Sequence, residues 1–528
     1  MSRSGRKMLA AILLVLTTAT AGFAAERPRE EDRADVSALV QSQSDFAFAL
    51  YARLRGGNEG QNLFFSPYSL STALLMAAEG ARGQTAEEVG KALRFPETAH
   101  RQGADAVGLP WDTAWLHAAA AALRRQLQAG SKPPPPEVRE RIESLREDLD
   151  RANRLAAARR RVDEEKQTDA ALESQRLARE LNALLPRYNQ YELSVASALW
   201  AEKTYPVRES YRETLTRYYG TGGISPVDFR GDAAGARRKI NAWVAEQTSD
   251  RIRELIGPDM LGPLTRLVLT NAVYFKGRWA DEFDTRQTRP GDFLLAGGGK
   301  VRVPLMHRDY LGAAHYAAFR ADGTFFDTPA QIEEGEQEQS KLYPGEKGFL
   351  MLELPYKGQR VSLVVLAPRS ADGLTSLEKQ LTAAHFRAWA AKLQQRPVHV
   401  FLPKIKVEAA YDLGEALKAL GMVRAFEGPS QPGGADFSGM SASTDPRQQP
   451  FISKVLHKAL VEVNEKGTEA AAATAVMMKP KAEARPERRL VPFTPTFRAD
   501  RPFVFLIRDR QTGSMLFLGR VTNPGSSR

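Results

Sequence analysis

The hydrophobic pattern along this chain changes period several times. Residues 36–55 put apolar side chains on one helical face, and "DFAFALYARL" makes that face wide. "NLFFSPYSLSTALLMAAEGARGQTAEEVGKAL", Asn62 to Leu93, reads as a short strand, a helix opened by Ser-Pro, a Gly-rich turn and a threonine-capped second helix. Leu116 to Gln128 is a further helix. From Tyr188 onward runs of strand texture take over. "YELSVASALWAE" and "TRLVLTNAVYFKGRW" (Thr265 to Trp279) read as long strands, and Lys239 to Ile256 as an amphipathic helix followed by a second short element. Strands follow at 349–354, 361–367 and 398–407, then a helix at 413–420. A last hairpin, "FVFLIRDRQTGSMLFLGRV", turns at Gly513. Helices dominate early and strands late, which predicts an α+β fold.

Two stretches break this texture. "KPPPP" (Lys132 to Pro136) is a stiff interruption. After it, Glu137 to Leu181 carries 11 Lys/Arg and 12 Asp/Glu. Val138, Ile142, Leu145 and Leu149 keep a 4-3-4 spacing, and Leu172, Leu177, Leu181 and Leu185 partly resume it. Residues 133–185 are therefore expected to be an inserted helix pair or coiled-coil hairpin. Residues 321–347, with "QIEEGEQEQ", are expected to be a polar surface insertion.

The 528 residues include no cysteine, so thiol chemistry and disulfides are excluded. The first 25 residues have the layout of an export signal. A basic "RSGRK" precedes an apolar "MLAAILLVLTTAT" and small-residue cleavage sites at Ala19–Ala21 or Gly22–Ala25. The expected location is extracellular or periplasmic, with no membrane attachment once the signal is removed. The formal charge of +11 falls to +8 without Arg3, Arg6 and Lys7. That permits contact with a polyanion without requiring it. Nothing points to nucleic acid.

Catalytic patterns are missing. The seven histidines form no HExxH pair, no GxSxG elbow occurs, and "GGGK" (Gly297 to Lys300) lacks the spacing of a phosphate loop and reads as a hairpin turn. No cofactor is expected. A large chain of this kind points to binding or inhibition rather than to an enzyme.

One stretch raises a sharper question. "VEVNEKGTEAAAATAVMMKPKAEARPERR", Val461 to Arg489, joins a strand to four alanines and then to a basic tract. Local propensity favours a helix, because alanine is the best helix former. The alternative is a segment built to enter a sheet. Thr468, Ala470, Ala472 and Thr474 then share one small face, and no proline interrupts the ladder before Pro480.

Six blocks in order resemble the serpin family: "NLFFSPYSLSTALLMAAEGARGQTAEEV", "NAVYFKGRW", "LELPYKG" with "VSLVVLAP", "LPKIKVEAAYDLGEALKALGM", "HKALVEVNEKGTEAAAATA" and "FRADRPFVFLIRDRQTGSMLFLGRVTNP". The resemblance implies one domain over residues 36–524, with a large central sheet A, two further sheets and about nine helices. It implies a hinge and exposed reactive-centre loop over 465–497. A protease cleaves this loop, which then inserts into sheet A and traps the acyl-enzyme. The hinge residues implied are Glu465, Gly467, Thr468, Ala470, Ala471, Ala472, Ala473 and Thr474. Counting Glu465 as the first of seventeen residues puts the reactive bond at Lys481–Ala482. The long loop leaves Arg488 and Arg489 as an alternative. A lysine there implies a trypsin-like serine protease as partner. Ser66, Ser69, Asn271 and His457 match the family's shutter, and Trp279 its breach. A monomer is expected. Two other readings stay open: a non-inhibitory carrier on the same fold, and a scaffold or polyanion binder that uses the insertion. For the latter the resemblance points to Arg124, Arg125 and Lys132, near the helix that binds heparin-like chains in some serpins.

Overall fold

The computed structural model describes residues 30–101, 108–129, 131, 135–159, 164–184, 191–220, 223–309, 314–333, 343, 345, 347–443, 445, 449–468 and 490–525. Eleven α-helices and three sheets stand among them, with one extra two-stranded ribbon. Two of the helices, Pro136–Arg159 and Glu164–Leu184, lie in the charged tract.

The central sheet has six strands in the order 405–412, 452–464, 467–468, 267–278, 191–202 and 224–227. Two of its long members are Ile452–Asn464 and Leu267–Arg278. These two run parallel and pair directly from Ile452↔Leu267 to Leu460↔Tyr274. The other long pairings in the sheet are antiparallel, as in Tyr191↔Gly277 and Ile405↔Val463.

The middle strands of the central sheet are covered on both faces, whereas Lys406, Glu408 and Ala410 of its edge strand are exposed. Beneath it the helix Pro67–Gly80 packs on strands of this sheet and on Met515–Val521 of the eight-stranded sheet. Phe64 stacks on Phe505 and Phe517 there, and Phe275 meets Phe517 edge-on. On the outer face the helix Ala233–Gln247 lays Ala236, Ile240 and Val244 on Ala198, Trp200, Val268, Ala272 and Leu456.

Three expectations need correction. The helix expected from Lys239 begins at Ala233, where the Asp232 side chain accepts the Gly235 N–H at 2.7 Å. It ends at Gln247, because Ser249 and Asp250 take positive φ. No second regular element follows; Ile252, Leu255 and Ile256 are buried from irregular backbone instead. The strand expected over 398–407 is two strands in two sheets, His399–Pro403 and Ile405–Asp412, divided at Lys404. Thr85 does not cap the helix Gly83–Ala92. It lies inside the first turn, and its hydroxyl accepts the Asp436 N–H.

The two helices at 136–184 pack on each other through a small core of their own: Ile142, Leu145, Ala152, Leu177 and Leu181. In the 321–347 stretch, Gln331–Glu333 pairs with Leu490–Pro492, which follows the basic tract. Among the described residues no helix is long and apolar enough to cross a membrane.

Candidate functional site

The site is built where the parallel pair of central strands meets the segment after Asn464. Gly467–Thr468 forms a two-residue strand wedged between them. It is antiparallel to both, with Thr468 opposite Val463 and Gly277, and Gly467 opposite Asn464 and Arg278. Gly467 has φ +148°, and a Cβ there would stand 2.0 Å from the Gly277 carbonyl oxygen. Only glycine fits this approach.

Each neighbour of the wedge is held. Thr468 is fully buried and its hydroxyl pairs with the Tyr356 hydroxyl at 2.8 Å. Trp279 stacks on Tyr356 with centroids 4.6 Å apart. Its indole N–H donates to the Asn464 carbonyl and its backbone N–H to the Lys466 carbonyl. Glu465 accepts from Thr288 at 2.9 Å and pairs with Lys404 at 3.0 Å. Burial opposes the Glu465 charge, yet its backbone, Lys404 and Thr288 together hold the carboxyl below its usual range.

Six residues further down both strands, from Val463 and Gly277 to His457 and Asn271, lies a second cluster. His457 and Asn271 are opposite each other in the parallel ladder, and both are fully buried. The Ser66 N–H donates to His457 Nε2 at 3.1 Å. An amide N–H can only donate, so Nε2 accepts and the proton sits on Nδ1. Nδ1–H then donates to Asn271 Oδ1 at 2.7 Å, which also accepts the Ser69 hydroxyl at 2.8 Å. The Asn271 amide donates to Ser197, and the Ser66 hydroxyl to the Leu516 carbonyl. The cluster thus ties both parallel strands to the N-terminus of the helix Pro67–Gly80.

Burial pulls the His457 pKa down to about 3, against a small opposing pull from the Asn271 backbone. A folded value below the unfolded one gives stability that is complete above pH 6.5 and is lost as pH falls toward 3. The loss is expected to reach on the order of 4 kcal/mol at pH 3. Denaturant midpoints measured from pH 7 to pH 4 check this. His457→Gln should flatten that limb, and an unchanged slope in the variant would contradict the buried neutral histidine.

The four residues expected as a shutter therefore meet in one hydrogen-bonded cluster, and Trp279 stands at the wedge with Glu465, Gly467 and Thr468. Ala470, Ala471, Ala472, Ala473, Thr474, Lys481, Ala482, Arg488 and Arg489 lie outside the described residues. Arg124 is half-buried, with its Nε enclosed, so it faces inward more than a polyanion contact requires. Lys132 also lies outside the described residues. Sequence reading missed Tyr356, Lys404, Thr288 and Ser197. Tyr356 and Lys404 sit inside quoted blocks but look like ordinary sheet residues. Thr288 and Ser197 carry no local signal. Among the described residues no group of three His, Cys, Asp or Glu could hold a metal ion.

The parallel pair of central strands thus holds a glycine wedge at one end and a buried polar cluster at its middle. The chain belongs to the serpin family: the Serpin (serine protease inhibitor) profile matches residues 41–524. It is similar to an uncharacterized serpin-like protein of Thermococcus kodakarensis, at 33% identity over 92% of this chain and 86% of that one. Serpin B8 of Bos taurus is 33% identical over 93% and 100%. Leukocyte elastase inhibitor A of Rattus norvegicus is 30% identical over 92% and 99%. Among solved structures, human thyroxine-binding globulin with thyroxine is 25% identical with a TM-score of 0.64, covering 93% and 100%.

Proposed function

We propose that this serpin inhibits trypsin-like serine proteases by suicide cleavage at Lys481–Ala482, followed by loop insertion. The observation that carries this is the register of the wedge. Thr468 opposes Val463 and Gly277, and each further residue advances one position down both strands. Continued, that ladder brings Thr474 between His457 and Asn271, and Lys479 level with Ile452, where its strand begins beyond a register shift at Ile452/Lys454. Insertion must then break the His457–Asn271 hydrogen bond, and the Thr474 hydroxyl arrives as its replacement.

The same register distinguishes the two candidate bonds. Cleavage after Lys481 leaves two residues beyond the sheet, roughly 7 Å of chain. Cleavage after Arg489 leaves ten, roughly 33 Å, enough slack to hold a protease clear of the base undistorted. Arg489 also directly precedes Leu490–Pro492, which is paired in a ribbon with Gln331–Glu333 and so restricts a protease cleft there.

The reaction needs no catalytic residue from the serpin. The protease forms the acyl-enzyme, and insertion must outrun its hydrolysis. The energy comes from a metastable fold held by a kinetic barrier. A carrier role is the competing reading, favoured by the likeness to thyroxine-binding globulin. The unbroken small residues from Ala470 to Ala473 argue for insertion instead. The basic start and apolar run within residues 1–25 support export, to the periplasm or the extracellular space. Titration with trypsin tests the reading. About one serpin per protease should abolish activity irreversibly, in line with trapping that outruns deacylation. Recovery of full activity after loop cleavage would refute it.

A further inference from the structure

The segment after the wedge cannot set its own register. From Ala470 to Ala473 it repeats one small side chain, which gives no preference for one alignment over another. Between Thr468 and Met478 the single charged residue is Glu469. It lies outside the described residues but follows directly on the wedge, so one further step of a described ladder sets its level. Thr468 opposes Val463 and Gly277, and Glu469 therefore comes opposite Glu462 and Lys276.

That level is open in the sheet. The direct pairing of the two long strands stops at Leu460↔Tyr274. Glu462 and Lys276 stand two positions further on, with no described strand between them. Alternation puts both on the face of Val268, Ala272 and Leu456, the face that carries the helix Ala233–Gln247. On the far side of each, Lys406 stands opposite Glu462, and Glu192 opposite Lys276. The row across the sheet thus reads Lys406, Glu462, a gap, Lys276, Glu192. Lys276 is half-buried, and among the described residues it enters no ion pair and no side-chain hydrogen bond.

Backbone hydrogen bonding decides which neighbour Glu469 meets more closely. The Trp279 N–H donates to the Lys466 carbonyl, so Lys466 turns its bonding edge toward the strand Leu267–Arg278. That edge alternates along a strand. Thr468 shares it, whereas Gly467 and Glu469 bond toward Ile452–Asn464. Glu469 and Glu462 then form the hydrogen-bonded kind of antiparallel pair, with Cα atoms about 5.5 Å apart. Glu469 and Lys276 form the closer, non-hydrogen-bonded kind, at about 4.5 Å. The two carboxylates are held further apart than the carboxylate and the ammonium, and Lys406 offsets Glu462 from its other side.

We propose that Lys276 is a positioning residue for insertion: it takes the Glu469 carboxylate as the first residue beyond the wedge enters, and so fixes the register in which the alanines follow. This role depends on the insertion mechanism proposed above. A slip by one residue would turn Glu469 onto the inner face, where Thr468 meets Tyr356 and Tyr356 meets Phe275. That error buries an unpaired charge among aromatic rings and excludes itself. A slip by two keeps Glu469 on the outer face but moves it to the level of Leu460 and Tyr274. Small side chains do not oppose that second error, and the pair with Lys276 does.

The test compares insertion rates in the intact protein and its variants by two readouts. One is the limiting rate of trypsin inactivation at saturating serpin. The other is the tryptophan fluorescence change that follows loop cleavage by any protease, which needs no trapping. Lys276→Gln and Glu469→Gln should each slow insertion by about two- to fivefold, the range of one cross-strand ion pair. The double variant should be no slower than either single one, and Lys276→Arg should keep the unaltered rate. Added salt should slow the unaltered protein and leave the double variant unaffected. A full rate in Lys276→Gln, or losses that multiply in the double variant, overturn the proposal and leave trapping intact. A fluorescence change with the expected sensitivities but no trapped protease would uphold the role of Lys276 and refute inhibition. No fluorescence change after cleavage of the unaltered protein would overturn both.

Discussion

Thr468→Arg is expected to convert the protein from a trap into a substrate. Thr468 is fully buried against Tyr356, in the two-residue strand by which the segment after Asn464 already lies in the sheet. A guanidinium there would replace a hydroxyl whose partner is the neutral Tyr356 phenol. Burying it unpaired costs about 3–5 kcal/mol, and each 1.4 kcal/mol is a factor of ten in rate. Insertion then loses its race with deacylation. The number of serpin molecules consumed per protease inactivated should rise from about one to roughly ten or more, while loop cleavage continues at its normal rate. A stoichiometry unchanged in Thr468→Arg would refute insertion by this register.

Lys481→Ala should remove inhibition of trypsin by attacking a different step. The specificity pocket of such a protease holds a buried carboxylate, which alanine leaves unpaired. The inhibition rate constant is expected to fall by roughly a hundredfold or more. The double variant Arg488→Gln, Arg489→Gln should inhibit like the unaltered chain. The opposite pattern would move the reactive bond to the second basic pair.

Much of the fold was legible because burial writes itself into sequence. The helix Pro67–Gly80 begins at Ser-Pro because Ser66 can cap and proline needs no donor. The strand Leu267–Arg278 reads as continuous apolar residues because both of its faces are covered. Position 404 was not legible. A run of strand-forming residues crosses from one sheet into another there, and local propensity is the same on both sides. The alanine run was read for one small face, and the structure supplies a reason for the other. The outer face of the central sheet lies under the helix Ala233–Gln247. By the same register Ala473 and Ala475 would pass Lys458 and Leu456, so both faces of an inserting strand need to be small. The site was half legible. Glycine and small polar residues mark the wedge and the buried cluster in the sequence, whereas Thr288 and Ser197 act only through long-range contacts.

The most direct test is to mix the mature protein with trypsin and separate the products on a denaturing gel. The account predicts a covalent band that survives denaturation, with mass spectrometry assigning the broken bond to Lys481–Ala482. Quantitative loop cleavage with no such band, for trypsin and for every other protease that cuts the loop, would contradict it.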